Sequence, residues 1–97
     1  MTTHTPTVRV LGTIRATDEQ RADGLLNYLA VEIDDYLVID GVQLRRTLDG
    51  RHVLAWPHRH DRKGTKHSVV RPCDDAARRA LEQAVFEALG IGAEATR

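Results

Sequence analysis

Apolar and polar residues alternate along much of the first seventy positions, which is the pattern of half-buried β-strands. Glycine, proline and paired aspartates interrupt the pattern where turns are expected. The last predicted strand is short and rich in β-branched residues, and a proline ends it. The predicted strands are Thr7–Ala16, Leu25–Ile33, Tyr36–Leu44, His52–Trp56 and His67–Arg71.

The segments between these strands predict antiparallel hairpins. Asp34-Asp35 is short and polar, and Asp49-Gly50 is a strong hairpin-turn dipeptide. The apolar phase of the third strand shifts by one residue at Asp40-Gly41, which predicts a β-bulge, and Gly12 predicts a bulge or a close approach. Residues 18–24 are polar and end in glycine, so we expect a connecting loop there.

The end of the chain has the period of an amphipathic helix. Small and apolar residues recur every fourth position from Ala76 to Leu89, Asp74 is a suitable N-cap, and Gly90 is placed to end the helix. Four to five antiparallel strands followed by one amphipathic helix packed on them predict an α+β fold. Leu25–Ile33 is apolar on both faces, which predicts a central strand that is covered on both sides, or on one side by a partner subunit.

A chain of 97 residues predicts one domain with a modest core, which dimerisation would supplement. We expect residues 7–90 to form this domain, with flexible ends at 1–6 and 91–97. No apolar run reaches the roughly 20 residues that cross a bilayer, and a signal-peptide pattern is lacking, so a cytoplasmic location is expected. Cys73 has no cysteine to pair with, and we expect it to be a small buried apolar residue.

Charge is distributed unevenly, although the formal net charge is zero. Residues 1–42 carry three basic and seven acidic side chains, and residues 43–72 carry eight basic and two acidic ones. A basic region beside acidic ones predicts a surface for an anionic partner, if the fold gathers its side chains on one side. A basic surface that only faces solvent is the alternative on charge alone.

The segment after Pro57 is basic, rich in histidine and without apolar residues up to Lys66, so we expect an exposed loop. Lysine and arginine supply sequence-independent contacts to phosphates, which makes this loop the candidate nucleic-acid-binding site. Three arginines on the preceding hairpin are placed to extend it. The candidate residues are Arg59, His60, Arg62, Lys63, Lys66, Arg45, Arg46 and Arg51.

Histidines within this basic region raise the alternative of a metal site, because His58 and His60 project to the same side of an extended segment. The spacing matches no closed zinc pattern and the neighbouring cations would repel a divalent ion, so we expect no metal and no cofactor. Imidazoles that protonate near a pKa of about 6.5 would tighten anion binding as the pH falls. Trp56 is placed for packing, with base stacking as the alternative.

Catalytic patterns are lacking, and we expect that the protein is not an enzyme. The paired carboxylates at Asp34-Asp35 and Asp74-Asp75 fit a turn and a helix cap better than acid–base chemistry. The sequence contains neither a glycine-rich phosphate loop nor a serine nucleophile elbow. A protein-interaction module that docks an acidic partner remains the alternative to nucleic-acid binding.

Several stretches in order resemble the stage V sporulation protein G (SpoVG) family of bacterial septation and sporulation regulators. They are Leu29-Ala-Val-Glu-Ile-Asp-Asp-Tyr-Leu-Val-Ile, Val42-Gln-Leu, Val53-Leu-Ala-Trp-Pro, and Val69-Val-Arg-Pro before the helix. The similarity extends from about Thr7 to Leu89, and its most specific part is Val53–Pro57. Gly64 stands where the family usually has its loop glycine.

The resemblance implies a small cytoplasmic or nucleoid-associated homodimer that binds DNA, and in some members RNA, and acts in cell division, sporulation and gene regulation. The family's contacts follow the strand-ending proline, which maps them onto Arg59 and His60 and less directly onto Arg62, Lys63 and Lys66. His58-Arg-His60 departs from the family's Ser-Lys-Lys/Arg type of run, and Arg71 replaces a histidine. These departures bear on sequence preference and on the sporulation role.

Overall fold

The computed structural model describes residues 4–91, so the predictions for residues 1–3 and 92–97 lie outside it. The elements are β1 (Val8–Arg15), α1 (Asp18–Ala22), β2 (Leu25–Ile33), β3 (Leu37–Arg46), β4 (His52–Ala55), β5 (His58–His60), β6 (Lys66–Ser68) and α2 (Asp75–Leu89).

The predicted α+β fold is confirmed. Strands β1 to β4 form one antiparallel sheet in sequence order, because each strand turns directly back along its predecessor. The predicted fifth strand does not join this sheet. It pairs instead with β5 in a separate two-stranded hairpin, and it covers Lys66–Ser68 rather than His67–Arg71.

The core lies between one face of the sheet and α2. Its most deeply buried side chains are Leu29 and Val31 on β2, Val42 on β3 and Val85 on α2. The helix follows its predicted stripe, and Phe86 adds a ring that meets His52 edge-on at 6.3 Å between centroids. Removing these apolar surfaces from water is the main term that stabilises the fold.

The other face of the sheet is largely uncovered. Ile14 and Val38 are 70% and 49% exposed, and Ala30 lines a shallow apolar groove of about 420 Å³ between β1 and β3. Strand β2 is therefore central, as predicted, but within residues 4–91 only one of its faces is packed against a helix of the core.

Both predicted bulges are present. The pairing of β2 with β3 shifts at Gly41, and that of β1 with β2 shifts between Val10 and Gly12, which leaves Leu11 as the extra residue. The turn at Asp34-Asp35 forms without glycine, since both residues have positive φ, at 55° and 61°, a conformation that aspartate tolerates.

The segment expected to be a loop at residues 18–24 contains the short helix α1. A capping box begins it: the Thr17 hydroxyl accepts the Gln20 N–H at 3.2 Å, and the Gln20 side chain accepts the Thr17 N–H at 3.0 Å. Helix α2 has its predicted caps, because the Asp74 carboxylate accepts the Ala77 N–H and Gly90 follows the last turn. Neither helix within residues 4–91 has the length and apolar composition needed to cross a bilayer.

Candidate functional site

The segment after Pro57 is an ordered hairpin, which corrects the expectation of a loop. Strand β5 pairs with β6, with His58 opposite Ser68 and His60 opposite Lys66. The carbonyl of Pro57 accepts the N–H groups of Val69 and Val70 at 3.0 and 3.3 Å and so closes its base. The hairpin β5–β6 is thus joined to the sheet at a fixed point, where Trp56 and Val70 pack against the core.

Asp61 organises the turn of this hairpin. Its carboxylate accepts the N–H groups of Lys63 and Thr65 at 2.9 and 3.0 Å, and its carbonyl accepts that of Gly64. Gly64 has a φ of 82°, which glycine adopts without steric cost. Local hydrogen bonds therefore hold a turn that has no apolar contacts of its own.

The same carboxylate also ties the two strands together. Its second oxygen lies 2.8 Å from Nε2 of His67 on β6. The hydrogen bond from His67, followed by that from the Thr65 amide, lowers the pKa of Asp61 below its ordinary value. The turn is therefore stabilised by the ionised form of Asp61.

The hairpin presents different basic side chains on its two faces, because side chains alternate along each strand. His58, His60 and Lys66 share one face, while Arg59 and His67 share the other. The rings of His58 and His60 meet edge-on with centroids 5.5 Å apart. Nδ1 of His58 lies 3.1 Å from the Trp56 carbonyl, which only accepts, so Nδ1 donates this hydrogen bond.

The arginines and lysines of the hairpin keep their charges unpaired. Apart from Arg46, the described arginines of the sheet, its turns and the helices are bound to carboxylates or carbonyls, as in the pair of Arg9 with Glu32 at 2.6 Å. The side chains of six described arginines and lysines make no hydrogen bond or ion pair within residues 4–91, and five of these residues lie on the hairpin or just after it. They are Arg46, Arg59, Arg62, Lys63, Lys66 and Arg71.

The three candidate arginines on the preceding hairpin have different surroundings. Arg51 is paired with Asp49 at 3.1 Å, and Arg45 donates to the Gln43 side chain and to the Asp23 carbonyl. Arg46 is exposed and unpaired.

Arg45 and Arg46 do share a shallow pocket of about 580 Å³, and Arg21 also lines it. Arg21 comes from α1, the helix that the sequence reading missed, and its side chain donates to the Leu26 carbonyl. Arg71 also lies outside the candidate set, and its side chain is exposed and unpaired within residues 4–91. Arg71 could have been included from the sequence, because it lies close to the predicted basic loop.

Cys73 is exposed, so the prediction that it is a buried apolar residue is wrong. It precedes the N-cap of α2 and lines a small groove of about 190 Å³ with Trp56 and Pro72. Trp56 packs against the core as expected, and its buried indole N–H has no hydrogen-bond partner among residues 4–91.

Metal-ligating side chains do not converge in the described part of the chain. No group of three or more histidine, cysteine, aspartate or glutamate side chains there is arranged to hold a metal ion. The hairpin offers positive charge and hydrogen-bond donors to an anion.

Comparison with known proteins gives no relative: no protein-family model matches the chain, and no curated protein or solved structure matches it significantly. The resemblance to the SpoVG family therefore remains a prediction from the sequence.

Proposed function

We propose that this protein binds nucleic acid, DNA or RNA, through the hairpin β5–β6. The observation that supports this proposal is the contrast between paired cations elsewhere and unpaired cations on the hairpin. The side chains of Arg59, Lys63 and Lys66 have no carboxylate partner within residues 4–91. Unpaired guanidinium and ammonium groups bind backbone phosphates, and this binding releases the counterions condensed on the nucleic acid.

The shape of the hairpin suits this role. It makes little contact with the other elements, and every described side chain on its two strands is half-buried or exposed. Cations on both faces allow it to contact phosphates on two sides, as a two-stranded ribbon does in a groove of a duplex. The firm turn at Asp61 reduces the entropy that ordering a loop would cost on binding.

The biological setting that we propose follows the sequence resemblance. As a SpoVG-like regulator, the protein would act as a cytoplasmic or nucleoid-associated homodimer in septum formation, sporulation or gene regulation. We propose no catalytic role.

The test is a fluorescence-anisotropy titration of a labelled duplex at several salt concentrations. The double variant Arg59→Ala/Lys63→Ala removes two unpaired cations, so the slope of log K against log salt should fall by about two phosphate contacts. The control, Arg78→Ala/Arg79→Ala, removes the same charge from α2 residues that are paired with Asp75 and Glu82. Its slope should stay close to that of the wild type.

Two results would contradict the proposal. One is the absence of binding to any duplex or single strand at low salt. The other is an equal fall of the salt slope in both double variants, which would indicate a nonspecific effect of net charge. Binding of polyglutamate as tight as that of an oligonucleotide of equal charge would favour the alternative, an acidic protein partner.

A further inference from the structure

The two edges of the four-stranded sheet differ in how they are covered. Strand β4 is four residues long, and its outward Leu54 N–H donates to the carboxylate of Glu82 on α2 at 3.2 Å. Strand β1 is eight residues long, and β2 is the only strand that pairs with it within residues 4–91. A long uncovered edge is a template for another strand.

The backbone groups of β1 that face outward can be identified from its two ends. The Thr7 carbonyl accepts the Asp34 N–H, and the Ala16 N–H donates to the Leu26 carbonyl, so both residues face β2. Backbone direction alternates along a strand, and the bulge at Leu11 shifts the alternation by one residue. The outward residues are therefore Val8, Val10, Thr13 and Arg15.

We propose that β1 pairs antiparallel with β1 of a second copy, around a two-fold axis next to Leu11 and Gly12. In this register Val10 lies opposite Thr13 of the second copy, and Val8 lies opposite Arg15. All four outward residues of each strand then exchange hydrogen bonds. No other antiparallel register matches all four outward residues of one strand with outward residues of the other.

The register also matches the two faces of the sheet. Val10 and Thr13 lie opposite Val31 and Leu29 of β2, on the side covered by α2, so a valine and a threonine meet on one face. On the open face Arg9 lies opposite Ile14 of the second copy rather than opposite another cation. Arg9 is already neutralised by Glu32, so the pairing opposes no like charges.

Apolar surface supports the same partner. Leu11 is 53% exposed and Ile14 is 70% exposed, and both lie along the edge that the second copy would cover. The Glu82 carboxylate occupies the outward amide at the opposite edge, which prevents β4 from propagating the sheet. The pairing is therefore isologous and closes at two copies.

The dimer sets the distance between the two basic hairpins, and this step rests on the proposed nucleic-acid binding. In the eight-stranded sheet the β4 strands, which each lead into a hairpin, lie at opposite edges. Seven inter-strand spacings separate them by roughly 34 Å, less a contribution from twist. Successive turns of B-DNA on one side of a duplex recur at about 34–36 Å. The points at which the two hairpins begin are thus about one helical turn apart.

The dimer is tested without nucleic acid, by measuring the molecular mass of the wild type, Thr13→Pro and Thr13→Ala by light scattering. Proline removes an N–H that faces away from β2, so the ladder within the subunit is retained while the ladder to the second copy is broken. The wild type and Thr13→Ala should have twice the mass of the chain, and Thr13→Pro should have half of their mass. If circular dichroism shows that Thr13→Pro is unfolded, Leu11→Lys, which places two cations at the axis, must halve the mass instead.

The register is tested by cross-linking in a Cys73→Ser background. Residues 9 and 14 of the two copies form a pair without mutual hydrogen bonds, whose Cα separation of about 4.5 Å permits a disulfide. Arg9→Cys/Ile14→Cys should give a covalent dimer on oxidation, whereas Ile14→Cys alone should not. A monomeric wild type, or a dimer that neither dissociates in the variants nor cross-links, would overturn the proposal.

The spacing is tested by hydroxyl-radical footprinting on a long duplex. Two protected stretches one helical turn apart are expected, and Thr13→Pro should bind this duplex tens of times more weakly while binding a duplex of less than one turn as the wild type does. Protection at another spacing would overturn the hairpin arrangement. Loss of all nucleic-acid binding with the mass and cross-link results intact would contradict the proposed function and leave the dimer in place.

Discussion

The sheet and the hairpin β5–β6 are held together by different forces. Strands β2 and β3 contain seven buried residues, and α2 adds Val85 and Phe86. The strands of the hairpin contain no buried residue, and the hydrogen bonds of Asp61 and Pro57 keep it in shape. One region is ordered by long-range apolar packing and the other by short-range polar contacts, so each should respond to substitutions that leave the other intact.

Truncation in the core should have the largest effect. Leu29 is 2% exposed, and Leu29→Ala should lower the free energy of unfolding by about 2–5 kcal/mol, because it removes buried apolar area and leaves a cavity. Val69→Ala, next to the hairpin at a side chain that is 59% exposed, should change it by less than about 0.5 kcal/mol. Urea denaturation followed by circular dichroism measures both. Equal losses of unfolding free energy in the two variants would contradict the separation of the packed sheet from the exposed hairpin.

Two glycines sharpen the comparison at the level of the backbone. A Cβ at Gly24 would lie 2.7 Å from the Arg46 carbonyl oxygen at a φ of 99°, so Gly24→Ala should destabilise the sheet by about 1–3 kcal/mol. Gly64 also has a positive φ but no atom within 4 Å of a Cβ. Gly64→Ala should strain the hairpin turn alone and leave the urea midpoint of the sheet unchanged. A larger shift of the midpoint for Gly64→Ala than for Gly24→Ala would contradict this difference.

The covered edge of the sheet should show a smaller effect. Glu82 accepts the Leu54 N–H and also the Arg78 side chain at 2.8 Å. Glu82→Ala should lower the free energy of unfolding by about 1 kcal/mol, since it removes both acceptors. Glu82→Gln retains an oxygen for the amide and should lose less. The two variants are compared by urea denaturation, and identical losses would mean that the contact with Leu54 contributes nothing.

The smallest effect on global stability should come from the turn of the hairpin. The lowered pKa of Asp61 means that its ionised form stabilises the folded turn, so this stabilisation is present above the carboxyl's ordinary pKa of 3.8. This stabilisation is lost as the pH falls through the lowered pKa of Asp61. Amide resonances of Lys63 and Thr65 should shift in that range while those of β2 do not. Asp61→Asn should shift them at neutral pH, and amide positions that do not respond would contradict the role of Asp61.

Regular apolar periodicity explains what the sequence revealed about the fold. The bounds of β2 were predicted to the residue, because Gly24 and Asp34 flank an apolar run, and α2 was predicted from its stripe and its caps. Helix α1 is too short to show a period, and its only indication was the spacing of Thr17 and Gln20. Strand β5 contains no apolar residue and shows no apolar periodicity, so it was predicted as part of a loop, and β6 was predicted with its bounds shifted toward Val69 and Val70.

The candidate site was predicted in part. The basic segment after Pro57 is indeed where unpaired cations are concentrated, and charge counting was sufficient to locate it. The pairing of Arg51 with Asp49 and the binding of Arg45 to the Asp23 carbonyl depend on turn geometry and on strand register. The exposure of Cys73 depends on the path of the chain between the hairpin and α2, which composition does not specify.

Trp56 gives the molecule an internal optical reporter at the joint between its two regions. It is the only tryptophan in the chain, and it follows β4 directly while its carbonyl contacts His58 on the hairpin. Its indole N–H is shielded from solvent, so its fluorescence emission should lie at shorter wavelengths than that of a hydrated indole. Any ligand that pulls the hairpin away from the sheet would expose this ring and shift its emission to the red.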